Sequence, residues 1–343
     1  LKGKHTLEDY LRKTEEIIEK TDMIEKKRST IADYSLMKLI RTGATTVCGG
    51  RVANYANQWG IKNVSGYMVM NSSKLKALSI NLQEQYAKEY RRNKNVDISY
   101  PAIFLHSLNK IDIRTISSVK KILRRFSNTV LILHIAETRK QEEEVRRKFG
   151  MGSVEFLYKN GWLNKKTVLV HCNWINWKDL SLIKKCKASV IQCLSSNINV
   201  ADKVLHLKDV IKKDIKVCLA TDGVATSGTF SILDEAKRCF LYYQGKNGQH
   251  CITEQKCLDL ITIGAARVLG LDDAIGSIEK NKRADLVFCR KLNKKSLFKS
   301  IGDISGVVVD GNIKIWEGEL LISNDKKITE KFAEVLNKVK ALI

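Results

Sequence analysis

The runs Leu131-Ile-Leu-His134-Ile-Ala-Glu137, Thr167-Val-Leu-Val-His171 and Leu219-Ala-Thr-Asp222-Gly223 decide how this chain is read. Each is a short apolar stretch that closes on side chains able to bind a metal or move a proton. A parallel (β/α) barrel carries its functional side chains at the C-terminal ends of its strands, where the βα loops gather. Two histidines, a glutamate and an aspartate delivered in this way to one rim suit a divalent ion and a water that it activates.

Outward from these runs, strand-like segments recur at Thr45–Cys48, Val64–Met70, Ser99–Leu105, Val130–His134, Val168–His171, Ser189–Cys193 and Lys216–Ala220. Helical spacing fills the intervals, as in Ser118–Phe126, Glu142–Lys148, Val154–Asn160 and Leu180–Lys187. Continuous apolar strands alternating with amphipathic helices predict a parallel sheet covered by helices, an α/β chain. The rhythm is that of a TIM-type (β/α)8 barrel, yet only seven strands are legible where closure needs eight. The chain opens on helical stretches, Thr6–Lys20 and Thr30–Arg41, so the first strand is expected ahead of Leu1. The seams would then be the strands beginning near Thr45 and ending near Ala220, leaving a marginally stable barrel with two open edges.

After the seventh strand two helices are expected, Ile232–Tyr243 and Thr253–Leu269. From Gly276 the pattern becomes that of a small β module: a turn into a strand, then Gly306–Asp310 and Ile313–Trp316 as a hairpin turning at Gly311-Asn312. Residues 1–275 are therefore assigned to the barrel, and 276–343 to a β-sandwich remnant with a terminal helix.

Hydrophobic residues make up 44% of the 343 and charged residues 28%, ordinary values for a globular protein. No apolar run approaches the ~20 residues that span a bilayer, and the first residues lack a signal-peptide core, so a cytoplasmic location is expected. Nine cysteines without C-x-x-C pairing, among them Cys48, Cys193, Cys218 and Cys289 inside apolar runs, read as reduced, buried thiols. The net charge of +23 is spread along every segment and mixed with acids, so it reads as a bias of composition and not as a nucleic-acid patch. Arg91-Arg92-Asn93-Lys94, the densest basic run, reads as a solvated loop.

His134 ends an apolar run and should point into the barrel mouth. Imidazole is a good zinc or iron ligand, and Glu137, three residues on, could shuttle protons from an activated water. His171 closes a second run in the same way; alone it would read as a hydrogen-bonded core histidine. Asp222, followed by Gly223, is either a turn cap or a ligand that also accepts a proton from the attacking water.

Several ordered motifs together resemble the amidohydrolase superfamily, in its branch of aminohydrolases acting on nucleobase- and nucleoside-like substrates, alongside chlorotriazine hydrolases. Arg41-Thr-Gly-Ala-Thr-Thr-Val47 is similar to that family's second barrel strand, Leu131–Thr138 to its fifth, Val168–Cys172 to its sixth and Ala220–Gly223 to its eighth. Cys193-Leu-Ser-Ser-Asn197 resembles the loop after strand seven; Thr262–Gly270, Gly276-Ser-Ile-Glu279 and Lys282-Arg-Ala-Asp285 resemble the tail.

The resemblance implies one divalent ion, zinc or else iron, held by His134, His171 and Asp222, with Glu137, His171 and Asp222 as catalytic groups. His171 would polarise the substrate or a bound hydroxide, and Asp222 would be ligand and general base. It implies His106 as a substrate contact, although Leu108 and Asn109 follow it where the family has Pro and Tyr. Asn197 would steady the metal-site loop or touch substrate. The family also supplies a His-x-His pair at the end of strand one, and none of the six histidines here forms one.

The expected function is hydrolytic deamination of an amino-substituted heterocycle. The alternatives are an inactive barrel serving as a binding or partner subunit and, third, a basic nucleic-acid-binding protein. A small heterocyclic substrate and further copies of the chain are the expected partners, without nucleic acid or membrane.

Overall fold

The computed structural model describes residues 6–20, 24, 27–49, 52–69, 82–93, 97–247, 252–291 and 296–342. Seven parallel strands form one curled sheet: β1 (Thr46–Cys48), β2 (Lys62–Val69), β3 (Ser99–Leu105), β4 (Val130–Ile135), β5 (Thr167–His171), β6 (Ser189–Gln192) and β7 (Val217–Leu219). They pair strictly in sequence order, β1 to β7, so each crossover returns beside the strand it left. Among the described residues β1 and β7 are the two edges, as the expected seams required. Met70, counted in the second strand, lies outside the described residues, as do His5, Lys94, His250 and Cys251.

The period-2 alternation of each strand sorts its side chains onto two faces. Ile103, Leu105, Leu131, Leu133, Leu169, Val190, Val217 and Leu219 point outward and bury against the helices, with Ile116, Val119, Ile122, Leu180 and Ile183 among their partners. Val64, Ala102, Phe104, Ile132, Val168, Val170, Ile191 and Cys218 fill the inner face. His134 shares the parity of Ile132, so its ring continues the inner face where the apolar filling ends.

Several helices begin earlier than their apolar spacing suggests, because polar caps set the start. Asn176 and Asp179 form a reciprocal capping box, and the helix runs Trp177–Lys185 instead of beginning at Leu180. Thr138 accepts from the Gln141 amide and starts Arg139–Phe149; Asp112 does the same for Ile113–Arg125. The expected single helix Thr253–Leu269 is two, Glu254–Ile261 and Ile263–Leu269. Thr262, with φ −120° and ψ −102°, breaks the ladder. Gly264 then lets the chain run close by, since a Cβ there would meet the Asp259 carbonyl oxygen at 2.8 Å.

A second, antiparallel sheet joins β8 (Leu286–Lys291), β9 (Ile301–Val309), β10 (Asn312–Trp316) and β11 (Glu319–Leu320) in the order β11-β10-β9-β8. Its first hairpin turns at Asp310-Gly311 and not at Gly311-Asn312: Val309 pairs with Asn312. Both loop residues have positive φ, +53° and +77°. That is the twist-matched two-residue turn of hairpins. Val307, Val309 and Ile315 bury against Leu36, Met37 and Ile40 of the helix Lys27–Arg41, and against Ile328 of the terminal helix Asp325–Ala341. Lys62, fully buried at the start of β2, ties the two sheets through Asp285 at 2.6 Å. Cys193 and Cys218 are buried as expected, but Cys48 and Cys289 are exposed, because β1 and β8 are edge strands. No helix among the described residues is long and apolar enough to cross a membrane.

Gly66 is paired with Ala102 across β2 and β3, and a Cβ there would collide with the Ala102 carbonyl oxygen. Backbone cannot give way as a side-chain tip can. Gly66→Ala is expected to cost about 3 kcal/mol or more in chemical denaturation; a loss under ~1 kcal/mol would mean that β2 and β3 do not run at this separation.

Candidate metal centre

Three strand ends build the site, and their backbones leave the ordinary regions as they do so. Ala136, His171, Cys172 and Asp222 all have positive φ, +46°, +71°, +55° and +60°. Non-glycine residues seldom adopt such angles, and they gather where surrounding structure enforces them for a purpose. Here they turn the chain sharply after β4, β5 and β7, which aims His134, Glu137, His171 and Asp222 at one recess.

The ligand atoms of His134, Glu137 and His171 all lie within 4.8 Å of one another, as do those of His171, Cys193 and Asp222. His171 belongs to both sets and joins them. The rings of His134 and His171 sit 4.8 Å apart at 88°, and His106 lies 5.2 Å from His134. Glu137 Oε1 is 3.7 Å from His171 Nε2, beyond hydrogen-bond length. His171 Nδ1 is 2.8 Å from Asn197 Oδ1. Asp222 Oδ2 accepts from the Ser196 hydroxyl at 2.6 Å. All six residues singled out in the sequence therefore meet at one end of the sheet.

Charge follows from this enclosure. Burial pushes His106 down to about 3, helped by His134 and Lys110. Burial likewise lowers His134 and His171 below the usual imidazole range, so both rings are neutral near pH 7 and can offer lone pairs. Glu137 is pushed up to about 7, mainly by burial, despite His134 beside it. Asp222 remains exposed to solvent although protein atoms crowd its carboxyl. Burial alone would raise its carboxyl; His171, His134 and the Ser196 hydroxyl outweigh that and hold it below the ordinary range. Two carboxyls in one site are thus driven apart, one toward the acid and one toward the base.

Other contributors escaped the sequence reading. Ser196 carries the hydrogen bond to Asp222, and Asn173 bonds the Asn197 amide at 3.0 Å. The helix Leu7–Lys20 crosses the same rim. Its Tyr10 hydroxyl lies 3.8 Å from where a Cβ on Gly223 would stand, and its Glu8 pairs with Lys140 at 3.3 Å. Nothing in the amphipathic spacing of that helix signals a position over a site.

The donor set fits a divalent ion. Imidazole nitrogens and a carboxylate are the ligands zinc and iron take, and His171 Nε2 is a buried nitrogen without a hydrogen-bond partner.

The chain was compared with known proteins. It is 27% identical over 319 residues to the 5-methylthioadenosine/S-adenosylhomocysteine deaminase of Pyrococcus furiosus, covering 88% of this chain and 75% of that one. It is 24% identical over 319 residues to the 5'-deoxyadenosine deaminase of Methanobrevibacter smithii, covering 90% and 73%. In fold it is similar to a zinc-bound adenosine deaminase from Xanthomonas campestris, with a TM-score of 0.85 over 98% of this chain and 81% of that one at 18% identity. The family model described as the amidohydrolase family matches residues 3–314, which is most of the chain and includes the three strand ends that build the site, so the chain belongs to the amidohydrolase family.

Proposed function

We propose that this chain is a metal-dependent hydrolase that deaminates an adenosine-type nucleoside, replacing the ring amine with oxygen and releasing ammonia. The convergence of His134, Glu137, His171 and Asp222 on one recess carries the reading. The relatives share an adenine nucleoside in their names, which supports the substrate class.

His134, His171 and Asp222 would hold the ion, zinc before iron. When bound, such an ion lowers the pKa of water and so supplies a nucleophile near neutral pH. Asp222, kept ionised, is placed to take a proton from the attacking water. Glu137, kept protonated up to about pH 7, can give its proton to the ring nitrogen as the carbon is attacked. It can then take the proton of the newly added hydroxyl and pass it to the departing amine, and the proton held by Asp222 restores the acid form of Glu137. His171 presents Nε2 to the same space, and His106, neutral at the rim, is available to the heterocycle. Water and the amino-heterocycle become the oxo-heterocycle and ammonia, so atoms balance. An inactive barrel has no need to bury a protonated glutamate against two neutral histidines.

The test is ammonia release, with loss of adenine absorbance, from 5'-deoxyadenosine and 5'-methylthioadenosine by the zinc-loaded chain. One ammonia per nucleoside, abolished by a chelator and restored by zinc, is expected. A folded, zinc-loaded chain inert toward both would overturn the substrate class.

A further inference from the structure

We infer that Asn173 is a positioning residue: acting through Asn197, it fixes which nitrogen of His171 carries the proton. The inference starts from two main-chain groups whose polarity is not open to choice. The Leu205 N–H can only donate, and it donates to Asn173 Oδ1 at 3.0 Å. The Glu137 carbonyl can only accept, and it accepts from Asn173 Nδ2 at 3.0 Å. Together they settle the orientation of the Asn173 amide, which an isolated amide would leave ambiguous.

Asn173 Oδ1 also accepts from Asn197 Nδ2 at 3.0 Å. That turns Asn197 so that its oxygen faces His171 Nδ1 at 2.8 Å. An amide oxygen only accepts, so the proton of the neutral ring sits on Nδ1. Nε2 is left with its lone pair, buried, without a hydrogen-bond partner, 3.7 Å from Glu137 Oε1. Only this tautomer offers a lone pair to the recess, whether for an ion or for a water proton; the other would aim an N–H there. Asn173, Asn197 and His171 are each at most 1% exposed, so water does not compete for these bonds.

The use of the lone pair rests on the function proposed above, but the tautomer does not, since it exists without metal or substrate. The experiment is therefore nitrogen-15 NMR of histidine-labelled, metal-free protein at about pH 8, well above the ordinary imidazole value of ~6.5. His171 is assigned by difference from His171→Gln. The wild type is expected to show Nδ1 protonated and Nε2 bare. Asn173→Leu removes the acceptor that orients Asn197, so Asn197 can turn its NH2 toward the ring. The proton should move to Nε2, and zinc affinity should fall roughly 10–100-fold. Asn173→Asp keeps an oxygen for Leu205 and Asn197 and should keep the wild-type pattern. Nε2 protonated in the wild type, or Nδ1 still protonated in folded Asn173→Leu, would overturn the inference. If Asn173→Leu does not fold, the smaller Asn173→Ala, which also removes the acceptor, carries the test: the proton should again move to Nε2, and Nδ1 still protonated there would overturn the inference.

Discussion

Asp222→Asn is expected to lower deaminase turnover by roughly 10³-fold or more and to strip zinc from the purified chain, while leaving the fold intact. The two effects have one cause. The substitution removes a negative charge from a site whose other ligands are neutral, and it removes the group that accepts the water's proton. The fold should persist because Asp222 sits at φ +60°, a region that asparagine enters about as readily as aspartate. The Ser196 hydroxyl, 2.6 Å from Oδ2, can still donate to an amide oxygen. Zinc per chain after desalting, ammonia release and the thermal midpoint together read the outcome. Near-normal turnover in Asp222→Asn would remove Asp222 from the mechanism. An unfolded variant would instead mark it as a structural cap, the plainer reading of an aspartate before a glycine.

The barrel was legible because a parallel sheet imposes a strong pattern. Both faces of each strand are buried, so β2 to β7 stand out as apolar runs between amphipathic helices. The strand ends that meet at the candidate site were legible for the same reason: a histidine after Leu131-Ile-Leu or Val168-Leu-Val interrupts a run that packing would otherwise continue. Turns and caps were harder, since one residue's backbone angle decides them. The hairpin turn fell a residue away, at Asp310-Gly311, and polar caps moved helix starts from Leu180 and Glu142 to Trp177 and Arg139.

The groups that orient the site were the least visible. Asn173 sits in the polar loop Asn173-Trp174-Ile175-Asn176, where an asparagine is unremarkable, and its partner Leu205 is 32 residues away. Tyr10 and Glu8 belong to a helix with ordinary spacing whose position over the recess depends on tertiary packing. Cys48 and Cys289 show the converse error: their runs look like core, but edge strands leave them exposed. Sequence pattern reports the number of faces a segment buries. It does not report which strand lies at an edge or which amide turns toward which ring.

Glu137→Gln is expected to give a protein that is more stable and nearly inactive. Glu137 is almost wholly buried, and burial raises its carboxyl to about 7 against ~4.3 in an unfolded chain. A folded-state pKa raised in this way contributes stability that is fully present below the unfolded value and is lost as pH rises through the folded one. Above pH ~7 the native state must therefore hold a poorly solvated charge. Glutamine imitates the protonated form and escapes that cost. At about 1.4 kcal/mol per pKa unit, the metal-free variant should be about 2–4 kcal/mol more stable than wild type at pH ~8 and about equal at pH ~4. His134 is coupled to Glu137, whose charge pulls that imidazole upward, so this ring contributes to the difference as well. Turnover of the zinc-loaded variant should fall roughly 10²–10⁴-fold, because an amide cannot hand a proton to the ring nitrogen or the leaving amine. Urea unfolding of the metal-free pair at the two pH values, beside ammonia release, tests both halves. A pH-independent stability difference would show that the wild-type carboxyl is not held protonated. Full activity would show that the proton comes from elsewhere. Greater stability with lost turnover is what a residue placed for chemistry at the expense of folding should give.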